Sequence, residues 1–428
     1  MKKLLIAVSL FCSLVANAQE GRWKGELNLP GMKLPIVFNF SSGGCTMDSP
    51  SQGAVGIKTD WTRNENGGVK ISIPTIGGSY EGKLDGKEIK GVFKQMGMSF
   101  PLNLIEEKLN RPQTPVAPFP YTTEEVKFKN GDIELNGTLT LPVDCSKKTP
   151  VLVMVTGSGQ QNRDEELFEH KPFAVIADAF ARKGIATLRY DDRFWGDKSK
   201  DFSNFTTYDF KEDALAAINF LRGRFDKVGI VGHSDGGTVA LMLALEGKAD
   251  FVVSMAGVGG SGKENLLLQN KMILKSMGHS DDVLITYCDV LGKMFDEMAN
   301  GRQPKGVDIP ESLPTGLKTN LQTIMSQPLV PYISTSLSID MSKSLSKIKC
   351  PVLAINGKLD MQVDHTYNLG ILEKGLINCK HKIVAFDGLN HLFQNCKTGS
   401  PTEYSDIEET ISPEVLEVMV DWIRQLSL

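Results

Sequence analysis

A serine lies between two glycines in the segment GIVGHSDGG, residues 229–237. Gly232 and Gly236 each stand two positions from Ser234, and an apolar run at 228–231 comes directly before the motif. Where a strand turns sharply into a helix at Gly-x-Ser-x-Gly, the serine hydroxyl is exposed at the edge of the sheet. The alternative is a glycine-rich turn with an incidental serine. The strand before the motif and the helix after it favour a nucleophile.

A serine hydroxyl is a poor nucleophile without a base, and the chain has six histidines. His391 lies in the loop FDGLNHLF, which follows the last apolar run. That loop leaves the carboxyl end of a strand, so it can hold an imidazole over the serine. His233 is next to the serine, but it sits in the constrained turn and is expected to point away. We therefore predict His391 as the general base.

A carboxylate should hold the imidazole in the correct tautomer and stabilise the imidazolium. Asp360 comes soon after the apolar run 351–356, again at a carboxyl end. Asp364 is a rival four residues later, and Asp387, in the histidine loop, is a third choice. We favour Asp360 because it is closest to the strand end. The chain order serine, acid, histidine is then the one typical of this kind of motif.

A tetrahedral intermediate also needs donors for its oxyanion. The backbone N–H of Asp235, directly after the nucleophile, is one predicted donor. Ser158 is the other, in the loop TGSGQQNRDE after the run 151–156, where Gly157 and Gly159 allow a ligand to approach the backbone. Gly-Ser-Gly could also hold a phosphate, but no Gly-Lys-Ser/Thr follows it. We expect two-step acyl transfer that needs neither a metal nor a cofactor.

The elements that must position these residues alternate in type along residues 123–428. After a predicted hairpin, six short apolar runs are separated by amphipathic helical segments. Nearly continuous apolar strands with helical crossovers indicate an α/β fold with a parallel sheet that is covered on both faces. The interval 259–345 interrupts this rhythm and is mainly helical. We predict that it is a cap inserted over the strand ends.

The N-terminal part of the chain has a different texture. Residues 20–108 alternate short apolar runs with glycine-containing turn pairs, which is typical of antiparallel hairpins. We predict a small β-sandwich or half-barrel, with domain bounds 19–110. Four prolines then occur within residues 111–120, so we interpret 111–122 as a stiff linker.

The first 18 residues are typical of an export signal. Lys2 and Lys3 precede an apolar run, and Ala16-Asn17-Ala18 provides small residues for cleavage. The run is shorter than the roughly 20 residues that span a bilayer, so we expect a periplasmic or secreted protein without a membrane anchor. Six cysteines would remain, and their pairing is left open. Cleavage would change the net charge from −4 to about −6, and the absence of a basic run gives no support to nucleic-acid binding.

The chain resembles the α/β-hydrolase superfamily and, more narrowly, exported bacterial esterases with a β-rich N-terminal domain. Five stretches carry the likeness over 123–428: VTGSGQQNRDE, HKPFAVIADAFARKGIATLRYDDRFWGDKS, GHSDGG, NGKLDMQV and GLNHLF. The likeness is looser over 20–108. The resemblance implies a triad of Ser234, Asp360 and His391, with Ser158 and Asp235 forming the oxyanion hole.

Two positions depart from the family pattern. Thr156 stands where many members carry a histidine before glycine, which affects the hydrogen bonding of the oxyanion loop. Phe194 and Trp195 stand where members often have small residues. These two aromatic side chains either wall the substrate pocket or pack under the cap.

The expected activity is hydrolysis of short-chain acyl esters by a serine carboxylic-ester hydrolase, with acylated carbohydrates among the candidate substrates. One alternative is a peptidase or amidase on the same fold. Another, of a different class, is a glycan-binding envelope protein whose N-terminal domain stacks Trp23, Trp61 and Tyr80 on sugar rings.

Overall fold

The computed structural model describes residues 21–29, 32–41, 44–50, 54–64, 66–95, 97–197, 200 and 204–426. The predicted export signal at 1–18 lies outside these residues. The chain divides into two compact units, with the boundary between Leu109 and Asn110. Among the described residues, no helix has the length and apolar character needed to cross a membrane.

The first unit is a single antiparallel sheet. Its nine strands within the described residues are β1 (Gly21–Leu29), β2 (Met32–Ser41), β3 (Gly44–Ser49), β4 (Ala54–Lys58), β5 (Asp60–Arg63), β6 (Gly68–Ile73), β7 (Gly78–Asp85), β8 (Glu88–Gln95) and β9 (Met98–Glu107). Their order across the sheet is β4-β3-β2-β1-β9-β8-β7-β6-β5. Only Thr59 separates the two edge strands along the chain, so the sheet curls into a nearly closed barrel. The predicted antiparallel hairpins are confirmed, but they form one curled sheet.

The barrel encloses its own apolar core. Trp23 and Tyr80 are 2% and 0% exposed, and Trp61 is half-buried with its ring 5.2 Å from that of Phe40. Trp23 and Tyr80 therefore pack in the core, and their rings are not available to stack on a sugar. Two of the three aromatic residues named for the glycan-binding alternative therefore cannot serve as a sugar-stacking surface.

The proline-rich segment at 111–122, which the sequence predicts as a linker, lies within the second unit. The Arg111 guanidinium donates hydrogen bonds to three carbonyl oxygens of that unit, those of Phe168, Ser405 and Ile407. The Gln113 amide donates to the Ile411 carbonyl oxygen over 2.8 Å. These contacts join residues almost 300 positions apart, and they hold the segment against the domain that it introduces.

The second unit is built on an eight-stranded sheet in the described part of the chain. Its strands are β10 (Thr122–Asn130), β11 (Ile133–Leu141), β12 (Val151–Val155), β13 (Ala186–Tyr190), β14 (Val228–His233), β15 (Val252–Met255), β16 (Val352–Gly357) and β17 (His381–Phe386). Their order is β10-β11-β13-β12-β14-β15-β16-β17. Neighbouring strands from β13 through β12 to β17 pair in parallel, whereas β11 pairs antiparallel with both β10 and β13. The predicted α/β fold is confirmed.

Helices cover both faces of this sheet. Those described are α1 (Pro172–Ala181), α2 (Thr207–Arg222), α3 (Asp235–Leu245), α4 (Gly262–Ser276), α5 (Asp281–Ala299), α6 (Thr315–Ser326), α7 (Pro331–Ser338), α8 (His365–Gly375) and α9 (Pro413–Arg424). One face packs against α2, α3 and α8, and the other packs against α1 and α9. Helices α4 to α7 lie between β15 and β16 in the chain and share a separate core. They form the predicted cap.

Strand β12 shows why the predicted strands are apolar at every position. Val151, Val153 and Val155 pack into the core on one face of the sheet. Leu152 and Met154 pack into the core on the other face. Because successive side chains of a strand point to opposite faces, a sheet covered on both sides needs an unbroken apolar run. The polar residues that follow such runs are therefore placed at the sheet edge.

Candidate active site

Ser234 occupies a strained turn between β14 and α3. Its φ is 55° and its ψ is −119°, a backbone conformation that is unusual for a residue with a side chain. The Ser234 N–H donates to the Met255 carbonyl oxygen over 2.8 Å, so the turn is fixed to the neighbouring strand. The side chain is half-buried. Such strain in a fixed turn is characteristic of functional sites.

The two glycines of the motif are required by close backbone contacts. A Cβ atom on Gly232 would lie 2.0 Å from the Gly236 carbonyl oxygen, and one on Gly236 would lie 2.1 Å from the carbonyl oxygen of Val155. Neither contact can relax by rotating a side chain, because both partners are backbone atoms. The glycines therefore allow the sharp turn that presents Ser234.

His391 and Asp360 are brought together at the carboxyl edge of the sheet. His391 Nδ1 lies 2.8 Å from Asp360 Oδ2, and the two side chains are 5% and 0% exposed. The other carboxylate oxygen, Oδ1, accepts the N–H groups of Gln362 and Val363 at 2.7 and 2.9 Å. With Nδ1 bound to the carboxylate, Nε2 is the ring nitrogen left to exchange a proton with an alcohol.

The hydrogen-bond and ion-pair partners distinguish Asp360 from the two rival carboxylates. Asp364 accepts the N–H of Tyr367 at 2.6 Å and caps the N-terminus of α8. Asp387 is 88% exposed and pairs with Lys358 Nζ at 2.8 Å. Of the three carboxylates considered from the sequence, Asp360 is the one bonded to His391.

The loop after β12 lies directly beside the serine. A Cβ atom on Gly157 would lie 3.2 Å from Ser234 Cβ. The N–H of Gly157 is already used, because it donates to Glu165 Oε1 over 2.7 Å. Among the described residues, no backbone carbonyl oxygen outside the helices and strands accepts the N–H of Ser158 or of Asp235. They are the two donors that the sequence predicts for an oxyanion.

The oxyanion loop is supported by a buried carboxylate. Thr156 Oγ1 donates to Asp192 at 3.1 and 3.2 Å, and the Gln161 N–H donates to the same carboxylate at 2.7 Å. Burial raises the pKa of Asp192 well above its usual range, and these hydrogen bonds act against that rise. The threonine that departs from the family pattern thus ties the start of the loop to the segment after β13.

His233 connects three parts of the site. Its Nδ1 lies 3.0 Å from Glu165 Oε1, and its Nε2 lies 3.0 Å from the carbonyl oxygen of His391. Burial alone would lower the pKa of His233, but the charge and hydrogen bond of Glu165 outweigh it and the pKa is raised. The ring centroids of His233 and His391 are 4.7 Å apart. The segment that carries the predicted base is therefore anchored to the residue before the nucleophile.

The contact between Ser234 Oγ and His391 Nε2 is the one link of the predicted triad that is not formed as a hydrogen bond in the described structure. Catalytic hydrogen bonds are often long or poorly aligned before substrate binds. What the structure brings together is the His391–Asp360 pair, the elbow that carries Ser234, and the loop that carries Ser158.

More than half of the chain, including part of the candidate site, matches a known protein family. The model of the X-Pro dipeptidyl-peptidase (S15) family matches residues 130–370. The chain belongs to the S15 family. The matched segment includes Ser234 and Asp360 and ends before His391. This S15-family chain is accordingly a hydrolase of the α/β-hydrolase type.

Esterases are among the relatives of this S15-family chain. It is 29% identical to esterase EstD of Thermotoga maritima over 303 residues, which cover 68% of each chain. Among solved structures, Est1E from Butyrivibrio proteoclasticus aligns with a TM-score of 0.42 at 16% identity, over 70% of this chain and 99% of that one. Proline iminopeptidase of Mycobacterium smegmatis aligns with a TM-score of 0.44 at 15% identity, over 71% of this chain and 98% of that one.

The two aromatic residues proposed for the pocket lie in the loop after β13. Phe194 has a φ of 58°, and its ring stacks on Phe205 with the centroids 5.6 Å apart. Trp195 is 47% exposed. The structure shows no ring contact between either residue and His391 within the described residues. A pocket role for Phe194 and Trp195 thus stays a prediction.

Sequence reasoning missed three residues of this S15-family site. Glu165 is the last residue of the loop TGSGQQNRDE, in which the sequence indicated only oxyanion donors. His233 was expected to point away from the serine, whereas its ring packs beside His391. Tyr332, from the cap helix α7, donates a hydrogen bond to Asp235 Oδ2 over 2.8 Å. The adjacency of His233 to the serine was the one available signal, and nothing in the cap sequence indicated Tyr332.

Proposed function

We propose that this protein is a serine carboxylic-ester hydrolase that acts on short-chain acyl esters through an acyl-enzyme on Ser234. The observation that supports it best is the buried 2.8 Å pair of His391 and Asp360 beside the strained elbow. A buried carboxylate on Nδ1 fixes the imidazole tautomer that leaves Nε2 free to accept a proton.

In the proposed reaction, His391 Nε2 takes the Ser234 proton while Ser234 Oγ attacks the ester carbonyl carbon. The N–H groups of Ser158 and Asp235 stabilise the oxyanion of the tetrahedral intermediate. His391 then gives the proton to the leaving alcohol, and the acyl group stays on Ser234. Water attacks the acyl-enzyme with His391 again as the base, which releases the acid and restores the hydroxyl.

A peptidase or amidase on the same residues is the second candidate, and membership of the S15 family favours it. An enzyme that removes residues from a peptide N-terminus needs a free acid to hold the terminal amine. Asp235 is the acid next to the nucleophile, and its Oδ2 already accepts hydroxyl hydrogen bonds from Tyr332 at 2.8 Å and Thr207 at 3.3 Å. This occupied carboxylate favours esters over N-terminal amines.

The test compares ester and amide substrates on one preparation. We expect cleavage of p-nitrophenyl acetate and butyrate, no comparable cleavage of aminoacyl- or Xaa-Pro-naphthylamides, and no activity in the Ser234→Ala variant. Acetylated xylan and feruloyl esters extend the panel to the acylated carbohydrates that we propose as candidate substrates. Cleavage of Xaa-Pro amides at rates equal to or above those of the esters would decide for the peptidase.

We also propose that the protein is exported, on the basis of its first 18 residues alone. Expression of the full chain in a Gram-negative host, followed by N-terminal sequencing of the periplasmic product, tests this proposal. A mature chain that begins at Gln19 is the expected product. An uncleaved chain in the cytoplasm would contradict export without affecting the proposed chemistry.

A further inference from the structure

The ring of His233 lies between two groups that accept hydrogen bonds. Its Nε2 lies 3.0 Å from the carbonyl oxygen of His391, and its Nδ1 lies 3.0 Å from Glu165 Oε1. A carbonyl oxygen and an ionised carboxylate accept hydrogen bonds and donate none. Both ring nitrogens of His233 must then carry a proton, which makes the ring an imidazolium cation.

The contacts of Glu165 indicate that its carboxylate is ionised. Oε1 accepts the Gly157 N–H over 2.7 Å, and the same oxygen faces His233 Nδ1. Two N–H groups directed at one oxygen are best accommodated by a charged acceptor. The side chains of Glu165 and His233 are 6% and 7% exposed. A buried carboxylate is costly unless a cation pairs with it, and the protonated ring of His233 is that cation.

His170 is a second buried histidine, and its partners suit a neutral ring. Its Nε2 faces both an acceptor, the Tyr404 carbonyl oxygen at 3.1 Å, and a donor, the Gln394 amide at 3.0 Å. Its Nδ1 lies 2.9 Å from the Thr410 hydroxyl, which can donate or accept. Burial lowers the pKa of His170 to about 4, so the ring is neutral at neutral pH.

The surroundings of His233 favour its charged form. Burial would lower the pKa of this ring, but the charge and hydrogen bond of Glu165, with the charge of Asp360, raise it overall. The ring of His391 lies beside it with the centroids 4.7 Å apart, and that of Phe393 lies at 6.2 Å. The proton of His233 is therefore held by the carboxylates on either side of the histidine pair.

The pair of Glu165 and His233 connects the predicted oxyanion loop to the loop of the predicted base. Gly157, whose N–H is held by Glu165, directly precedes Ser158. A Cβ atom on Gly157 would lie 3.2 Å from Ser234 Cβ and 3.3 Å from Glu165 Oε1. The carboxylate is thus close to the nucleophile. Without a compensating cation, its negative charge would oppose the oxyanion that forms at Ser234.

We propose that His233 is a positioning residue that stays doubly protonated, neutralises Glu165 and holds the backbone of His391 in place for proton transfer. Its Nε2–H fixes the carbonyl oxygen of the base's own residue, and Glu165 fixes the start of the oxyanion loop. One buried ion pair therefore sets the base relative to the oxyanion donors. This inference rests on the proposed function, since the positioning role requires acyl transfer at Ser234.

Nitrogen-15 NMR of the histidine rings tests the protonation state of His233. A ring with an ordinary pKa near 6.5 is neutral at pH 8. We expect a ring with protons on both nitrogens at that pH, and its signals should be absent from the spectrum of His233→Gln. A wild-type spectrum in which every histidine ring is neutral at pH 8 would overturn the inference without any variant. The same holds if the ring that disappears in His233→Gln is a neutral one.

A matched pair of variants, His233→Gln and His170→Gln, tests the effect on catalysis. Each replaces a buried histidine that contacts the segment around His391. Loss of a direct oxyanion donor costs about 10²–10³ in kcat, and loss of a positioning group should cost less. We expect His233→Gln to lower kcat for p-nitrophenyl butyrate by about 10- to 100-fold, with KM changed less than about threefold. His170→Gln should keep kcat within about threefold of wild type.

Glu165→Gln tests whether the two residues act as a unit. The doubly protonated signal should disappear in this variant, because the cation loses its partner, and kcat should fall by about tenfold or more. Combined with His233→Gln, it should be no slower than the slower single variant by more than about twofold, because coupled groups give non-additive effects. Fully multiplicative losses would overturn the inference. If His233→Gln does not fold, a doubly protonated signal that persists in Glu165→Gln overturns it, and loss of that signal supports it.

The possible failures can be told apart. A wild-type protein that cleaves no ester and leaves Ser234 unlabelled by a fluorophosphonate overturns the proposed function, whatever the protonation of His233. An active wild type, with equal kcat for His233→Gln and His170→Gln, overturns the role of His233 alone. Thermal unfolding of each variant checks that the fold is kept.

Discussion

Replacing Asp360 with asparagine tests which carboxylate serves the predicted base. In the transition state His391 becomes an imidazolium 2.8 Å from Asp360 Oδ2, and the carboxylate is 0% exposed. Two unit charges about 4 Å apart at an effective dielectric constant near 20 attract by about 4 kcal/mol. Loss of that attraction corresponds to a factor of about 10³ in rate. An asparagine that donates to Nδ1 would also force the wrong tautomer, so we expect kcat to fall by about 10³- to 10⁴-fold.

The two rival carboxylates provide matched controls. Asp364→Asn keeps a side-chain oxygen that can cap α8, and Asp387→Asn removes an exposed ion pair that is worth little. Both variants should keep kcat for p-nitrophenyl butyrate within about threefold of wild type. The reasoning is refuted if Asp360→Asn loses less than tenfold, or if Asp364→Asn loses as much as Asp360→Asn.

Two further variants test the buried histidines of the second unit. Glu165→Gln removes the carboxylate charge that accepts the Gly157 N–H and pairs with His233. We expect this change to lower the free energy of unfolding in urea by about 2–3 kcal/mol. The control Glu166→Gln, at a partly exposed neighbour, should change that free energy by less than about 0.5 kcal/mol. Equal effects of the two changes would contradict the role of Glu165. Burial lowers the pKa of His170 from 6.5 to about 4, so the unfolded chain binds its proton first and stability falls as pH drops from 6.5 toward 4. Between pH 7 and 4.5 the wild type should lose about 2 kcal/mol more than His170→Gln, and parallel losses would contradict this reading.

The positions of the three proposed catalytic residues could be predicted because each one follows a recognisable strand. Ser234, Asp360 and His391 come after the apolar runs that became β14, β16 and β17. The carboxyl ends of parallel strands meet at one edge of a sheet, so position in the sequence implied proximity in space. The choice of Asp360 over Asp364 followed from the same reasoning, and the hydrogen bond to His391 agrees with it.

The residues around this core could not be predicted because their placement depends on irregular backbone and distant packing. Glu165 has a φ of 53° in a loop without a regular pattern. Tyr332 reaches Asp235 only through the packing of α7 on other helices, which no local motif determines. The proline-rich segment was interpreted as a spacer from composition, whereas the hydrogen bonds of Arg111 attach it to residues far away in the sequence.

The most direct test of the central claim is the covalent labelling of Ser234 by a fluorophosphonate, followed by mass spectrometry of the peptides. A serine activated by His391 should form a phosphonyl adduct at Ser234, and His391→Ala should slow this labelling by at least about 10³-fold. Folded wild-type protein that remains unlabelled, or that carries the adduct on another residue, would contradict the account.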